Sequence, residues 1–83
     1  MSQSDPTLAQ ALALHQAGRL RDAEQLYRQA VTRNPKNFDA LRYFGVCRLQ
    51  QGDAAMAGEL LGQAVKLKPR HADALFELGQ ALY

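Results

Sequence analysis

The chain has 83 residues, 47% of them apolar and 22% charged, which is ordinary for one small folded domain and argues against disorder. Its formal net charge of +2 is too small an excess to be a nucleic-acid footprint, and no run nears the ~18 apolar residues that cross a bilayer. Cys47 is the only cysteine, so neither an intramolecular disulfide nor a thiolate metal cluster is expected.

In chain order, Asp5 is expected to cap the first helix, with Pro6 at its first position, where the missing N–H costs nothing. Leu8, Ala11, Leu12 and Leu14 follow at helical spacing, and Gly18 ends the run. A second helix is predicted from about Leu20 to Arg33, with Ala23, Leu26, Tyr27, Ala30 and Val31 on one stripe; Asn34-Pro35 breaks it, because proline cannot continue the hydrogen-bond ladder. Leu41, Phe44, Gly45 and Leu49 mark a third helix, ended by Gly52, with Asp53 capping the next. Met56, Ala57, Leu60, Leu61, Ala64 and Val65 mark the fourth, which Lys68-Pro69 closes. Ala72 to Tyr83 supplies a fifth, with Leu75, Leu78, Gly79 and Leu82 apolar or small.

These elements repeat. Pro35 and Pro69 lie 34 residues apart, as do Gly18 and Gly52. Laying 5–35 over 39–69 matches Asp5/Asp39, Gln16/Gln50, Gly18/Gly52, Ala23/Ala57, Leu26/Leu60, Gln29/Gln63, Ala30/Ala64, Val31/Val65 and Pro35/Pro69. Chance supplies roughly two such identities. The same shift carries Asp39, Ala40, Leu41 and Gly45 onto Asp73, Ala74, Leu75 and Gly79. The units are therefore about 4–37, 38–71 and a shortened 72–83, and the chain is expected to be an N-terminal piece of a longer protein. A two-helix unit cannot cover its apolar stripes alone, so neighbouring units must stack.

The period, the small residues at Gly45 and Gly79, the Gly18 and Gly52 turns, Ala23/Ala57, Ala30/Ala64 and the closing Pro35 and Pro69 resemble the tetratricopeptide family over about residues 4–83. The pattern departs from it at Thr7, Leu41 and Leu75, where a large aromatic is common, and at Arg48, where a tyrosine is usual. The resemblance implies an all-α, right-handed α-solenoid of antiparallel helical hairpins, about five helices long. It also implies that a curved surface lined by first helices holds a segment of a partner protein or peptide.

The contact residues expected on that surface are Arg42, Val46, Leu49, Gln50, Asp73, Phe76, Gln80 and Tyr83, preceded by Leu8, Leu12 and His15. For Leu49 and Tyr83 the competing reading is hairpin packing, and for Arg42 a solvated helix charge. The Lys/Asn/Arg set with which some family members grip a terminal carboxylate is missing. So is the asparagine ladder of others, the matching positions being Ala9, Tyr43 and Glu77.

Chemistry is not expected. His15 and His71 have no ligand spacing and read as surface histidines, and the carboxylates are scattered and read mainly as caps and first-turn charges. Cys47 reads as a small packing residue. Gly58 and Gly62, four apart inside a helix, read either as a close contact with another chain or a missing domain or as glycines that the helix simply tolerates. Lys66, Lys68, Arg70, Arg33 and Lys36 sit near helix C-termini, where cations complement the dipole, and no nucleic-acid or membrane binding is expected of them.

No enzyme activity, cofactor or metal is expected, and Met1 to Pro6 lacks the features of a secretory signal, so a cytoplasmic protein is expected. Three functions remain open: an interaction scaffold, the substrate-selecting arm of a larger glycosyl- or sulfotransferase, and a self-assembly module. The uncovered Leu75, Leu78 and Leu82 lead to the expectation of a homo-oligomer through the C-terminal edge.

Overall fold

The computed structural model describes residues 6–83. Asp5, expected as a helix cap, lies outside the described residues. Five helices follow one another: α1 (Pro6–Gln16), α2 (Leu20–Arg33), α3 (Phe38–Gln50), α4 (Ala54–Leu67) and α5 (Ala72–Leu82). No strand occurs among the described residues, and none of these helices is long and apolar enough to cross a membrane.

Two kinds of joint alternate. First helices end at a glycine in the left-handed region, Gly18 at φ +83° and Gly52 at φ +85°, a conformation that a Cβ disfavours. The backbone closes both ends in the same way. The N–H of Gly18 donates to the His15 carbonyl (3.0 Å) and that of Arg19 to Leu14 (2.9 Å). Gly52 likewise donates to Leu49 (3.0 Å) and Asp53 to Arg48 (3.0 Å), the paired bonds of a Schellman ending.

Second helices end instead at a proline turn. Asn37 N–H donates to the Asn34 carbonyl (3.0 Å) and His71 N–H to that of Lys68 (3.2 Å), with Pro35 and Pro69 at the second turn position. The last residue of each turn then caps the next helix. Asn37 Oδ1 accepts from Ala40 N–H (3.1 Å), and His71 Nδ1 accepts from Ala74 N–H (3.2 Å). Asp53, read as a cap, takes that role through Oδ1 and Met56 N–H (3.1 Å). His71, read as a surface histidine, is instead a half-buried cap whose ring lies 4.8 Å from that of Phe38.

The apolar stripes meet in one main cluster that includes Ala11, Ala23, Tyr27, Phe38, Leu41, Phe44, Cys47, Leu60 and Ala64, with a smaller one of Ala57, Leu61 and Ala81 beside it. Small residues set how near the helices come. A Cβ built on Gly45 would lie 2.7 Å from Leu61 Cγ and 3.4 Å from the Ala57 carbonyl oxygen, so α3 crosses α4 where only glycine fits. Cys47 fills a similar tight place; its Sγ donates weakly to the Leu20 carbonyl (3.4 Å), and burial pushes its thiol pKa up. The contact expected at Gly58 with another chain is made within this one, since its Cβ would sit 3.9 Å from Ala81 Cβ of α5, while Gly62 faces open space.

The third unit shows what the second helix of a hairpin does. Leu41 is 1% exposed under α4, whereas Leu75, its counterpart one period later, is 44% exposed; Leu82 and Tyr83 are exposed as well. Gly79, the counterpart of Gly45, has nothing within 4 Å of its would-be Cβ.

This contrast gives a paired prediction. Gly45→Ala forces Leu61 or the α4 backbone aside, and over-packing of about 1–3 kcal/mol outweighs the helix-propensity gain of about 1 kcal/mol. Urea unfolding should therefore show a loss for Gly45→Ala and, for the same exchange at Gly79, a gain of up to about 1 kcal/mol. Equal effects at the two positions would mean that the α3–α4 crossing is not limited by Gly45.

Candidate functional site

The first helices lie in series, α1 against α3 and α3 against α5, whereas α2 and α4 do not meet. This brings three helix faces side by side. Between α1 and α3 they leave an open groove of about 320 Å3 lined by Leu12, His15, Gln16, Tyr43, Val46 and Gln50.

One polar bridge fixes the rim of the groove. Tyr27 is wholly buried, so its hydroxyl needs a partner, and His15 Nδ1 lies 2.7 Å from it. His15 Nε2 lies 2.7 Å from Gln50 Oε1. Since that carbonyl oxygen can only accept, Nε2 carries the proton and Nδ1 accepts from the tyrosine. His15, read as a surface residue, is thus a half-buried link from α2 through α1 to α3. Burial first, then the nearby Cys47 and Tyr43, drive the Tyr27 pKa well above its ordinary value, so it remains a neutral donor.

The expected contact residues fall into four groups, the last being Arg42 with Asp73. Val46 and Gln50 stand in the groove beside Leu12 and His15. Leu49 packs on the Ala57, Leu61 and Ala81 cluster, as the packing reading had it. Phe76, at 67% exposure, stands with Gln80 and Tyr83 exposed on α5 outside that groove.

Arg42 is the least available of the set. Its side chain is 16% exposed and forks onto Glu77, Nε to Oε1 at 2.8 Å and a terminal nitrogen to Oε2 at 2.9 Å. Its guanidinium also lies 5.1 Å from the centre of the Tyr43 ring, and exposed Asp73 is 3.8 Å away. Arg42 therefore ties α3 to α5 rather than standing as a solvated charge. Tyr43 was considered in the sequence only as the wrong residue for an asparagine ladder, yet it walls the groove.

A second polar system, unforeseen, joins α2 to the end of α3. Glu24 is only 7% exposed. Its Oε2 accepts from Arg28 (3.0 Å) and Arg48 (2.6 Å), and its Oε1 accepts from Gln51 (3.1 Å). Arg48, the departure from the family's usual tyrosine, also donates to Asp53, and its Nε is buried without a hydrogen-bond partner. An α2 carboxylate at Glu24 and the Arg48 substitution together were the available signal. Among the described residues no group of three or more His, Cys, Asp or Glu side chains could hold a metal ion.

Stacked two-helix units, joined alternately by glycine and proline turns, define a helical-repeat protein. A family profile described as tetratricopeptide repeat matches residues 8–61 and again 57–83, and the chain belongs to that family. Repeats of this kind generally mediate protein–protein interaction. No curated protein matches the chain.

The Asp53 pair generates a pH prediction. The hydrogen bond from Arg48, then that from the Met56 amide, holds the Asp53 carboxyl below its ordinary pKa. A depressed carboxylate contributes stability that is complete above the unfolded value, about pH 4, and is lost as pH falls through the folded value. Thermal unfolding of wild type should therefore weaken more steeply below about pH 4 than that of Asp53→Asn, the two curves converging in acid. Parallel curves over that range would remove Asp53 from the acid limb.

Proposed function

We propose that this chain is an interaction scaffold that seats a segment of a partner protein along the α1–α3–α5 face, and that it performs no catalysis. The observation that carries this reading is the groove between α1 and α3. Its apolar walls, Leu12, Tyr43 and Val46, are only partly covered, and its rim offers hydrogen-bonding groups on Gln16 and Gln50. Partly covered apolar walls with a few fixed polar groups are what an extended or helical segment needs for affinity and register. Phe76, large, aromatic and exposed, extends the same face onto α5 and is suited to anchor the partner. The lone, buried Cys47 is at ease in a reducing compartment, which supports a cytoplasmic setting.

The reading is tested with a Val46→Glu/Phe76→Glu double variant, which places two charges on the face without touching the main core. Proteins retained by wild type from a lysate of the source organism should be lost by the variant, with the helical circular-dichroism signal of the two chains equal. Retention of the same proteins by both ends the proposal.

A second reading has its own observation. Leu75, Leu82 and Tyr83 are exposed along α5, and Gly79 leaves room for a close helix contact. Self-association through that edge predicts a sedimentation-derived mass that rises with concentration and falls back in Leu75→Lys/Leu82→Lys. A wild-type monomer at millimolar concentration is the opposing result. In a longer protein the same edge would abut further chain, and the scaffold would then serve as the substrate-selecting arm of a transferase.

A further inference from the structure

A larger groove, of about 620 Å3, shares no residue with the first and lies between α2 and the C-terminal end of α3. Three guanidinium groups line it, Arg21, Arg28 and Arg48, against one carboxylate, Glu24. That carboxylate is already saturated by Arg28, Arg48 and Gln51, so it does not repel an incoming anion. Arg48 is spent on Glu24 and Asp53.

Arg21 and Arg28 are left. Arg21 is exposed and forms no ion pair among the described residues; Arg28 is 60% exposed and uses one terminal nitrogen on Glu24. Its guanidinium is held 5.5 Å from the centre of the Phe44 ring, so the remaining donors are oriented rather than free to wander. The two residues stand seven positions apart on α2, about 10 Å along the axis. Gln25 and Gln29 lie on the same wall of the groove.

We propose that this groove binds an extended acidic peptide segment. On such a segment in the polyproline II conformation, with three residues per turn and about 3.1 Å of rise each, carboxylates three residues apart share one face about 9 Å apart, close to the spacing of Arg21 and Arg28. Each receives a charge-assisted hydrogen bond, and the Gln25 and Gln29 amides pair with the peptide backbone between them. A nucleic acid suits the site poorly: two available cations make a short phosphate track, and the one ring at hand, Phe44, is covered by Arg28 and buried.

The probe is a fluorescein-labelled peptide with glutamate at every third position among serines, followed by anisotropy at low salt with the whole chain. Its glutamine counterpart and a single-stranded oligonucleotide are the comparisons. Binding should weaken with added salt and fall roughly tenfold or more in Arg21→Glu/Arg28→Glu. Arg21→Ser, at an exposed residue, should weaken it several-fold with the fold unaltered. Lys66→Glu/Arg70→Glu, an equal change of net charge elsewhere, should stay within about twofold of wild type. Val46→Glu/Phe76→Glu should bind the probe normally, which separates this site from the first-helix face. The inference is overturned if the acidic peptide does not bind. It is equally overturned if the glutamine peptide or the oligonucleotide binds as well, or if the Lys66/Arg70 variant loses as much as the Arg21/Arg28 one.

Discussion

The burial of Tyr27 is the constraint from which most of the first two units follows. A tyrosine removed wholly from water brings a large apolar ring into the core and obliges its hydroxyl to find a partner. The ring lies against Phe44 and Tyr43 of α3, with centroids 6.3 and 6.5 Å away, so α2 cannot slide along α3 without losing both contacts. The hydroxyl draws His15 of α1 inward, and the other nitrogen of His15 reaches Gln50 at the end of α3. One side chain thus fixes the relation of three helices. The groove that forms the proposed partner site is a by-product of that fixation, because Tyr43 and His15 are at once core supports and groove walls.

The second constraint is the distance between helices within a hairpin. At the α3–α4 crossing, Gly45 admits Leu61 almost to the backbone, and Leu61 is sealed as a result. Burying a side chain of that size stabilises by about 1.5–3 kcal/mol. Leu75 and Leu82 of α5, by contrast, are exposed. Stability and surface chemistry are coupled here, since whatever covers α5 also decides whether Phe76 and Tyr83 border a groove or stand on a rim.

Much of the fold was legible because its signals are local or strictly periodic. Gly18, Gly52, Pro35 and Pro69 act on their own backbone neighbourhood, and the helix limits follow them closely. Asp53 could be read as a cap because its place after a turn glycine is itself a local pattern. His71 escaped because the same role is filled by an imidazole, which the usual list of capping residues does not include. The polar links between units were illegible for a different reason. Glu24 and Arg48, His15 and Gln50, and Arg42 and Glu77 lie far apart in the chain and meet only because stacking brings their helices together. Helix faces alone therefore pointed to Arg42 without its bond to Glu77, and passed over Tyr43.

These long-range pairings also divide the surface into two chemically unlike faces. On the first-helix side Arg42 is neutralised by Glu77, with exposed Asp73 beside the pair, and no Asp, Glu, Lys or Arg among the described residues lines the groove. On the α2 side Glu24 is neutralised, and Arg21 and Arg28 remain exposed. In both places a buried pairing removes one sign of charge and leaves the other outside. Under the two proposed roles, an acidic segment fits the second groove better and a neutral, apolar segment the first. Discrimination between segments then arises from which charge each ion-pair network leaves unspent, a property of the stacked units that no single hairpin possesses.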